Sequence, residues 1–512
     1  MKQILQNLKT GATEIVEVPA PGVGRERLLI RSSRTLVSAG TERMLVDFGK
    51  AGWIEKARQQ PEKVKQVLDK IRTDGLMPTV DAVFNKLDEP MPLGYCNAGV
   101  VLEVGAGITD LQPGDRVASN GPHAEVVCVP RNLCAKIPDG VSDDEAAFTV
   151  LGAIALQGIR LAAPYLGERF IVFGLGLVGL LSVQLLRACG CPVLAVDVSE
   201  TRLRLAASFG AETVNLEVGA DPVTAAMAWT GGKGVDGVII AASAKGDDIV
   251  HQAASACRKR GRIILVGVVD LNLRRGDFYE KELTFQVSCS YGPGRYDEKY
   301  EQGGQDYPVG FVRWTEQRNF EAVLEAMRAG QLRVKELITH RLALEEAGDA
   351  YGRVLHDSEA LGIIIEYPEG NEKGDSPNFS LREKKDSPLF PVFPPISPVT
   401  VGVIGAGNYA RTILLPALTR TKTYLAMVAD INGVAAAHAA RKFRAGKAVS
   451  AHRLILDDPG IQAVFVLVGH HLHARFVCEA LEAGKYVFVE KPLAINETQL
   501  AEVIGAYEKI QG

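Results

Sequence analysis

Cysteine is scarce in this chain and badly placed for cross-linking. Its eight cysteines, at 96, 128, 134, 189, 191, 257, 289 and 478, include no CxxC pair. In a chain of 512 residues that scatter excludes a disulfide-built scaffold and leaves no cysteine cluster for a structural zinc. Long apolar runs are missing too. The most hydrophobic stretch, Phe170 to Leu186, is broken by Gly174, Gly176 and Gly179, and it falls short of the ~20 residues that cross a bilayer. The opening residues, MKQILQNLKTGATEIVEV, lack the apolar core of a secretory signal. Nor is there an excess of positive charge. Fifty-seven Lys and Arg against 61 Asp and Glu give a net charge of −4, which argues against a nucleic-acid surface or a basic membrane patch. The remaining composition is that of a soluble globular chain with room for roughly two to four domains. The expectation is a cytoplasmic protein with reduced thiols that acts on a small molecule.

Up to about residue 150 the chain reads as short strands, among them RLLIRS, AGVVLEVGAG, DRVAS and AEVVCVP, separated by Gly and Pro turns. Beyond that, the apolar strands RFIVFG, PVLAVD, GVIIAAS and RIILVGVV alternate with helical patterns such as TRLRLAASFG. That alternation implies a parallel sheet covered by helices. A loop-rich stretch follows residue 290, then a helical NFEAVLEAMRAG and a strand GIIIEYP. Residues 368–398 hold seven Pro among many charges and read as a linker, extended in its last part. A second α/β unit begins after it. An insertion, QQPEKVKQVLDKIR, spaces Val64, Val67, Leu68 and Ile71 along one helical face; such a helix packs on the β region or covers a cleft.

Two glycine loops carry the clearest chemistry. Gly174, Gly176 and Gly179 stand directly after a strand and open a helix. In that context the first glycine makes the turn and the second lets a pyrophosphate approach the backbone. The third lets helix and strand pack, while the helix N-terminus supplies free N–H groups. Asp197 ends the next strand, eighteen residues on, where a carboxylate accepts from ribose hydroxyls and repels a 2′-phosphate. NAD(H) is therefore expected, with NADP(H) left open by Arg202 and Arg204. Gly405, Gly407 and Ala410 repeat the device, with Asp430 twenty residues past Ala410. Without a ligand, each loop is only a packing turn with a capping Asp.

On these residues the chain resembles two families joined head to tail. PLGYCNAGVVLEVGAGITDLQPGDRV, AEVVCVP, FGLGLVG and GRIILVG resemble medium-chain, zinc-type alcohol dehydrogenases. GVIGAGNYA, VLVGHHLHA and ALEAGKYVFVEKPLA resemble the N-terminal half of Gfo/Idh/MocA oxidoreductases. Such fusions resemble bi-domain oxidoreductases associated with sugar or polysaccharide biosynthesis. The resemblance implies α/β plus β architecture: a GroES-like β domain (1–151 and 291–366) with a Rossmann domain (152–290), a linker (367–398) and a second Rossmann-type domain (399–512). It implies hydride transfer between nicotinamide and an alcohol or carbonyl carbon.

The departures matter as much. Where the family has an early Cys ligand this chain has Ser38 to Glu42, and where it has Gly-His-Glu this chain reads Gly94-Tyr95-Cys96. Cys96, Glu42 and His123 are ligand-type residues without recognised spacing, so a catalytic zinc is not expected. A Tyr hydroxyl can donate to a carbonyl oxygen, which makes Tyr95 the candidate catalytic residue, with Ser38 or Thr41 as proton relays; the alternative for Tyr95 is a packing aromatic. In the second unit the resemblance assigns Lys491 to proton transfer, and Glu490 and His473 to the cofactor edge. The resemblance implies a substrate domain after this unit, and the given sequence runs only to Gly512, so the unit is expected to bind cofactor without turning over alone, as a remnant, a regulatory NAD sensor or a half-site completed by another chain; a homo-oligomer is expected. The rival readings are a non-catalytic nucleotide-binding or assembly protein and a zinc-independent enone or quinone reductase.

Overall fold

The computed structural model describes residues 1–38, 40, 42, 43, 46, 88–354, 357, 359–368 and 399–511. Thr41 and the insertion carrying Val64 to Ile71 lie outside the described residues, as does all but the start of the Pro-rich linker.

The β domain is built around one long strand, Arg27–Ser38. Its register is antiparallel with Asn97–Val104 along one edge and, along the other, with Val126–Pro130 at its start and Gly362–Glu366 at its end. Arg116–Ser119, Cys134–Lys136 and Ile338–Ala343 complete that sheet. Residues from both ends of the first unit thus share one core, with Val37, Leu93, Tyr351 and Ile365 in a common cluster. A smaller sheet joins Thr13–Glu17, Lys2–Gln6 and the short strand Met91–Pro92.

The next sheet is parallel throughout, in the order Glu212–Asn215, Val193–Asp197, Phe170–Phe173, Val235–Ile240, Cys257–Leu265, Thr284–Val287. The order reverses at Phe170–Phe173, where the first glycine loop leaves the sheet; that is the doubly wound arrangement with a binding crevice at the switch point. The run that looked membrane-like is the strand Phe170–Phe173 and the helix Leu177–Ala188. Leu180, Leu181, Val183 and Leu186 are fully buried there, each stabilising the fold by about 1.5–3 kcal/mol. Among the described residues no helix is long and apolar enough to cross a membrane.

The second parallel sheet repeats the pattern with five strands, Lys447–Val449, Tyr424–Ala429, Thr400–Ile404, Ala463–Val466 and Tyr486–Val489. This unit docks on the amino-terminal hairpin. The Gly22 N–H donates to the Ile431 carbonyl at 3.0 Å, and Arg441 donates to the Glu17 carbonyl at 3.0 Å. Lys442 pairs with Asp88 at 2.9 Å and Arg411 with Glu89 at 2.9 Å. Leu5, Val18 and Ala437 form an apolar centre between the two. Gly433 has no room for a side chain, since a Cβ would lie 1.9 Å from the Pro19 carbonyl oxygen.

One buried group is out of balance. Glu316, in the first turn of the helix Glu316–Arg328, is fully buried, and neither carboxyl oxygen has a hydrogen-bond partner among the described residues. Burial, and then the negative charge of Glu301, push its pKa from 4.5 up to about 8. A carboxyl raised in the fold contributes stability that is full below pH 4.5 and is lost as pH climbs through about 8. Glu316→Gln is therefore expected to leave thermal stability at pH 5 near that of the wild type and to raise the Tm at pH 9 by at least about 3 °C. A difference that stays flat across pH 5, 7 and 9 in thermal melts would show that the carboxyl finds a partner.

Candidate functional site

The two glycine loops have nearly the same local build. Gly174 turns at φ +85° and its Cβ would strike the Ala242 backbone at 2.6 Å; Gly405 turns at φ +103° and its Cβ would meet the Leu467 carbonyl at 2.5 Å. Only glycine suits a left-handed turn with so little space. At Gly176 and Gly407 a Cβ would meet nothing within 4 Å, so each loop leaves an open cradle above bare backbone. At the third position a Cβ on Gly179 would lie 1.8 Å from the Gly174 carbonyl oxygen, whereas the second unit accommodates a buried Ala410.

The aspartates also act alike. Asp197 accepts from Leu175 N–H at 2.6 Å and Ser199 N–H at 2.8 Å. Asp430 accepts from Ala406 N–H at 2.7 Å and Asn432 N–H at 2.8 Å. Each carboxylate ties the glycine loop to the end of the neighbouring strand. The open cradle, the helix start and the adjacent acid fit a dinucleotide in both units.

In the β domain, Tyr95 is half-buried beside the core and Ser38 ends the long strand with its side chain buried. Ser38 contributes its backbone N–H, which donates to Glu42 Oε1 at 2.9 Å. Glu42 is fully buried and is the centre of a network that reading along the chain does not reveal. Its Oε2 lies 3.1 Å from His123 Nε2 and accepts from the Tyr351 hydroxyl. His123 Nδ1 lies 2.7 Å from Thr35 Oγ1, which lies 3.1 Å from the Tyr367 hydroxyl.

One proton assignment satisfies the whole chain. Tyr367 donates to Thr35, Thr35 to His123 Nδ1, and His123 Nε2–H to Glu42. Burial, and then the charge of Glu42, hold the Tyr351 phenol well above its usual pKa, so it stays a donor. The same two causes raise the Cys96 thiol, which is fully buried. Gly94 turns at φ +88° against the His123 ring, where a Cβ would come within 2.6 Å of the ring carbons, so the residue before Tyr95 packs directly on this network. Among the described residues no three His, Cys, Asp or Glu side chains gather closely enough to hold a metal ion. Glu42 and His123 are instead engaged with each other.

In the second unit Lys491 is exposed, and Glu490 accepts a hydrogen bond from the Tyr409 hydroxyl of the glycine loop. His473 begins the helix His473–Glu482 and contacts the end of the Glu490–Lys491–Pro492 segment. Its ring is fully buried, with Nδ1 2.7 Å from the Pro492 carbonyl and Nε2 3.0 Å from the Val468 carbonyl. That position supports the Glu490–Lys491–Pro492 segment from behind. His470 and His471 are exposed on the turn ahead of it.

The wild type is expected to bind two NADH per chain, and Gly176→Asp and Gly407→Asp one each. An Asp in either cradle places a side chain and a negative charge where the pyrophosphate must sit. Isothermal titration counts the sites; unchanged stoichiometry in both variants would overturn the cofactor assignment.

Residues 178–302 match the zinc-binding dehydrogenase family, and residues 399–511 match the oxidoreductase family with an NAD-binding Rossmann fold. A probable D-xylulose reductase A of Aspergillus terreus is 27% identical over 304 residues, covering 52% of this chain and 79% of that protein. The (R,R)-butanediol dehydrogenase of Bacillus subtilis is 25% identical over 359 residues, covering 61% and 94%. The solved alcohol dehydrogenase of Thermus sp. ATN1 superposes with a TM-score of 0.55 at 22% identity, over 72% of this chain and all of its own, and establishes the fold. The chain is thus an alcohol dehydrogenase-like oxidoreductase in which a region matching the zinc-binding dehydrogenases is joined to a domain matching the Gfo/Idh/MocA-type Rossmann fold.

Proposed function

We propose that the first unit transfers hydride between NAD(H) and the alcohol or carbonyl carbon of a polyol or sugar-like substrate, without a catalytic zinc. The observation that carries this reading is the position of Tyr95. It follows a glycine packed on the buried Glu42–His123 pair, at the point where the family's metal-binding His would stand. Nicotinamide, when bound, supplies the hydride acceptor or donor. The Gly174–Gly179 loop and the start of the helix Leu177–Ala188 would hold the pyrophosphate, and Asp197, beside that loop, would accept from the ribose hydroxyls. Tyr95 donates to the substrate oxygen and stabilises the charge that changes there as hydride moves. Glu42, His123 and Tyr351 form a rigid, fully hydrogen-bonded floor that holds Gly94 and Tyr95 in place. The substrate class is supported by the relatives, a xylulose reductase and a butanediol dehydrogenase among them.

The test is turnover of polyols and sugar alcohols with NAD⁺, alongside enones with NADPH, with metal content measured on the same samples. Tyr95→Phe is expected to lower kcat on the order of 10²-fold while leaving NADH affinity unchanged. An unaltered kcat would return Tyr95 to a packing role, and stoichiometric zinc would overturn the metal-free reading. Turnover of enones alone would select the reductase, and NADH binding without any turnover the assembly protein.

A further inference from the structure

The second glycine loop is physically tied to the strand that leads to Tyr95. Arg411 stands directly after Ala410, the third position of that loop. Its backbone N–H donates to the Gly407 carbonyl at 3.1 Å, and its Nε lies 3.5 Å from the same oxygen. From there the guanidinium reaches across the domain boundary to Glu89 at 2.9 Å, while the neighbouring Asp88 is held by Lys442 at 2.9 Å. Glu89 is six residues before Tyr95.

The intervening residues are not slack. Met91 and Pro92 pair with Gln6 and Leu5. The Leu93 N–H donates to the Ile4 carbonyl at 3.2 Å, and the Leu93 carbonyl accepts from the His123 N–H at 2.8 Å. Gly94 then packs on the His123 ring, within the network that supports Tyr95. An ion pair and a short backbone segment held by hydrogen bonds therefore join the open cradle at Gly407 to the floor of the first unit's site.

We propose that the second Rossmann domain is a regulatory dinucleotide site, and that the Arg411–Glu89 ion pair passes its occupancy to the segment carrying Tyr95. The proposal rests on the reading of the second glycine loop as a dinucleotide site and of Tyr95 as catalytic. A pyrophosphate over Gly407 arrives beside a guanidinium already committed to a carboxylate. Arg411 attracts the phosphates, Glu89 opposes them, and the two anions share one cation. Dinucleotide binding thus loosens the grip on Glu89. By linkage, anything that changes the Glu89 end changes dinucleotide affinity by the same factor. Arg411 keeps 18% of its side chain exposed and Glu89 45%, so the coupling is modest, roughly two- to fivefold. Arg411 and Glu89 are positioning residues in this scheme and touch neither substrate nor nicotinamide of the first unit.

The experiment uses the full chain carrying Gly176→Asp, which leaves only the second site, titrated with NADH and with NADPH. Adding Glu89→Gln is expected to tighten binding roughly two- to fivefold, and adding Arg411→Ala to weaken it by a similar factor. In Gly176→Asp itself, saturating dinucleotide is expected to speed amide exchange over residues 89–95, Leu93 included, several-fold. The Gly407→Asp variant, whose second site is blocked, should show no such acceleration. Failure of Gly176→Asp to bind either dinucleotide removes the second site and the proposal with it. Binding that Glu89→Gln leaves unchanged, or exchange at 89–95 indifferent to the ligand, overturns the coupling while the site itself stands.

Discussion

A carboxylate removed from water destabilises a fold by several kcal/mol unless donors surround it, and Glu42 is fully buried. Meeting that requirement organises the β domain. One donor comes from the end of the long strand at Ser38, one from the loop carrying His123, and one from Tyr351 on the helix Leu344–Val354. These segments lie far apart in the chain, so the network closes only when the carboxyl-terminal part of the first unit has returned to the amino-terminal sheet. The same closure fixes His123, and the His123 ring in turn dictates that residue 94 be glycine. The backbone ahead of Tyr95 is thereby set by an electrostatic need in a distant part of the chain.

The two Rossmann units meet a different need in the same way. Each must leave the second glycine of its loop bare for a ligand and still hold the loop in shape. Each does so by spending the strand-end aspartate on loop N–H groups. The difference lies at the third position, where Gly179 sits against the Gly174 carbonyl and Ala410 does not face an equally close approach.

Much of this was legible from residues alone. The spacing of the glycines and the acids after them marks both parallel sheets, because those positions answer to local backbone geometry. The helix at Glu316–Arg328 and the strand Gly362–Glu366 show in their apolar periodicity. The Glu42 network does not show. Its members are 81 and 309 residues from Glu42, and a buried Tyr on an amphipathic helix has the same local pattern whether it packs or donates. Ser38 was readable as a replacement for a ligand, but its use of a backbone N–H was not, since every residue type offers one. His473 is a related case. A motif fixes the residue's neighbourhood, and only the carbonyls of Val468 and Pro492 show that its ring is turned inward.

The close seat of Gly433 on the Pro19 carbonyl has a thermodynamic corollary. The surfaces that meet there belong to one chain, so their association is unimolecular. A tether of a few tens of residues holds its ends at an effective concentration on the order of millimolar. An interface with no more than millimolar intrinsic affinity is then closed about half the time, and each further tenfold in affinity, about 1.4 kcal/mol, raises the closed-to-open ratio tenfold. Severing the connection between residues 368 and 399 would turn a concentration-independent equilibrium into one governed by dilution.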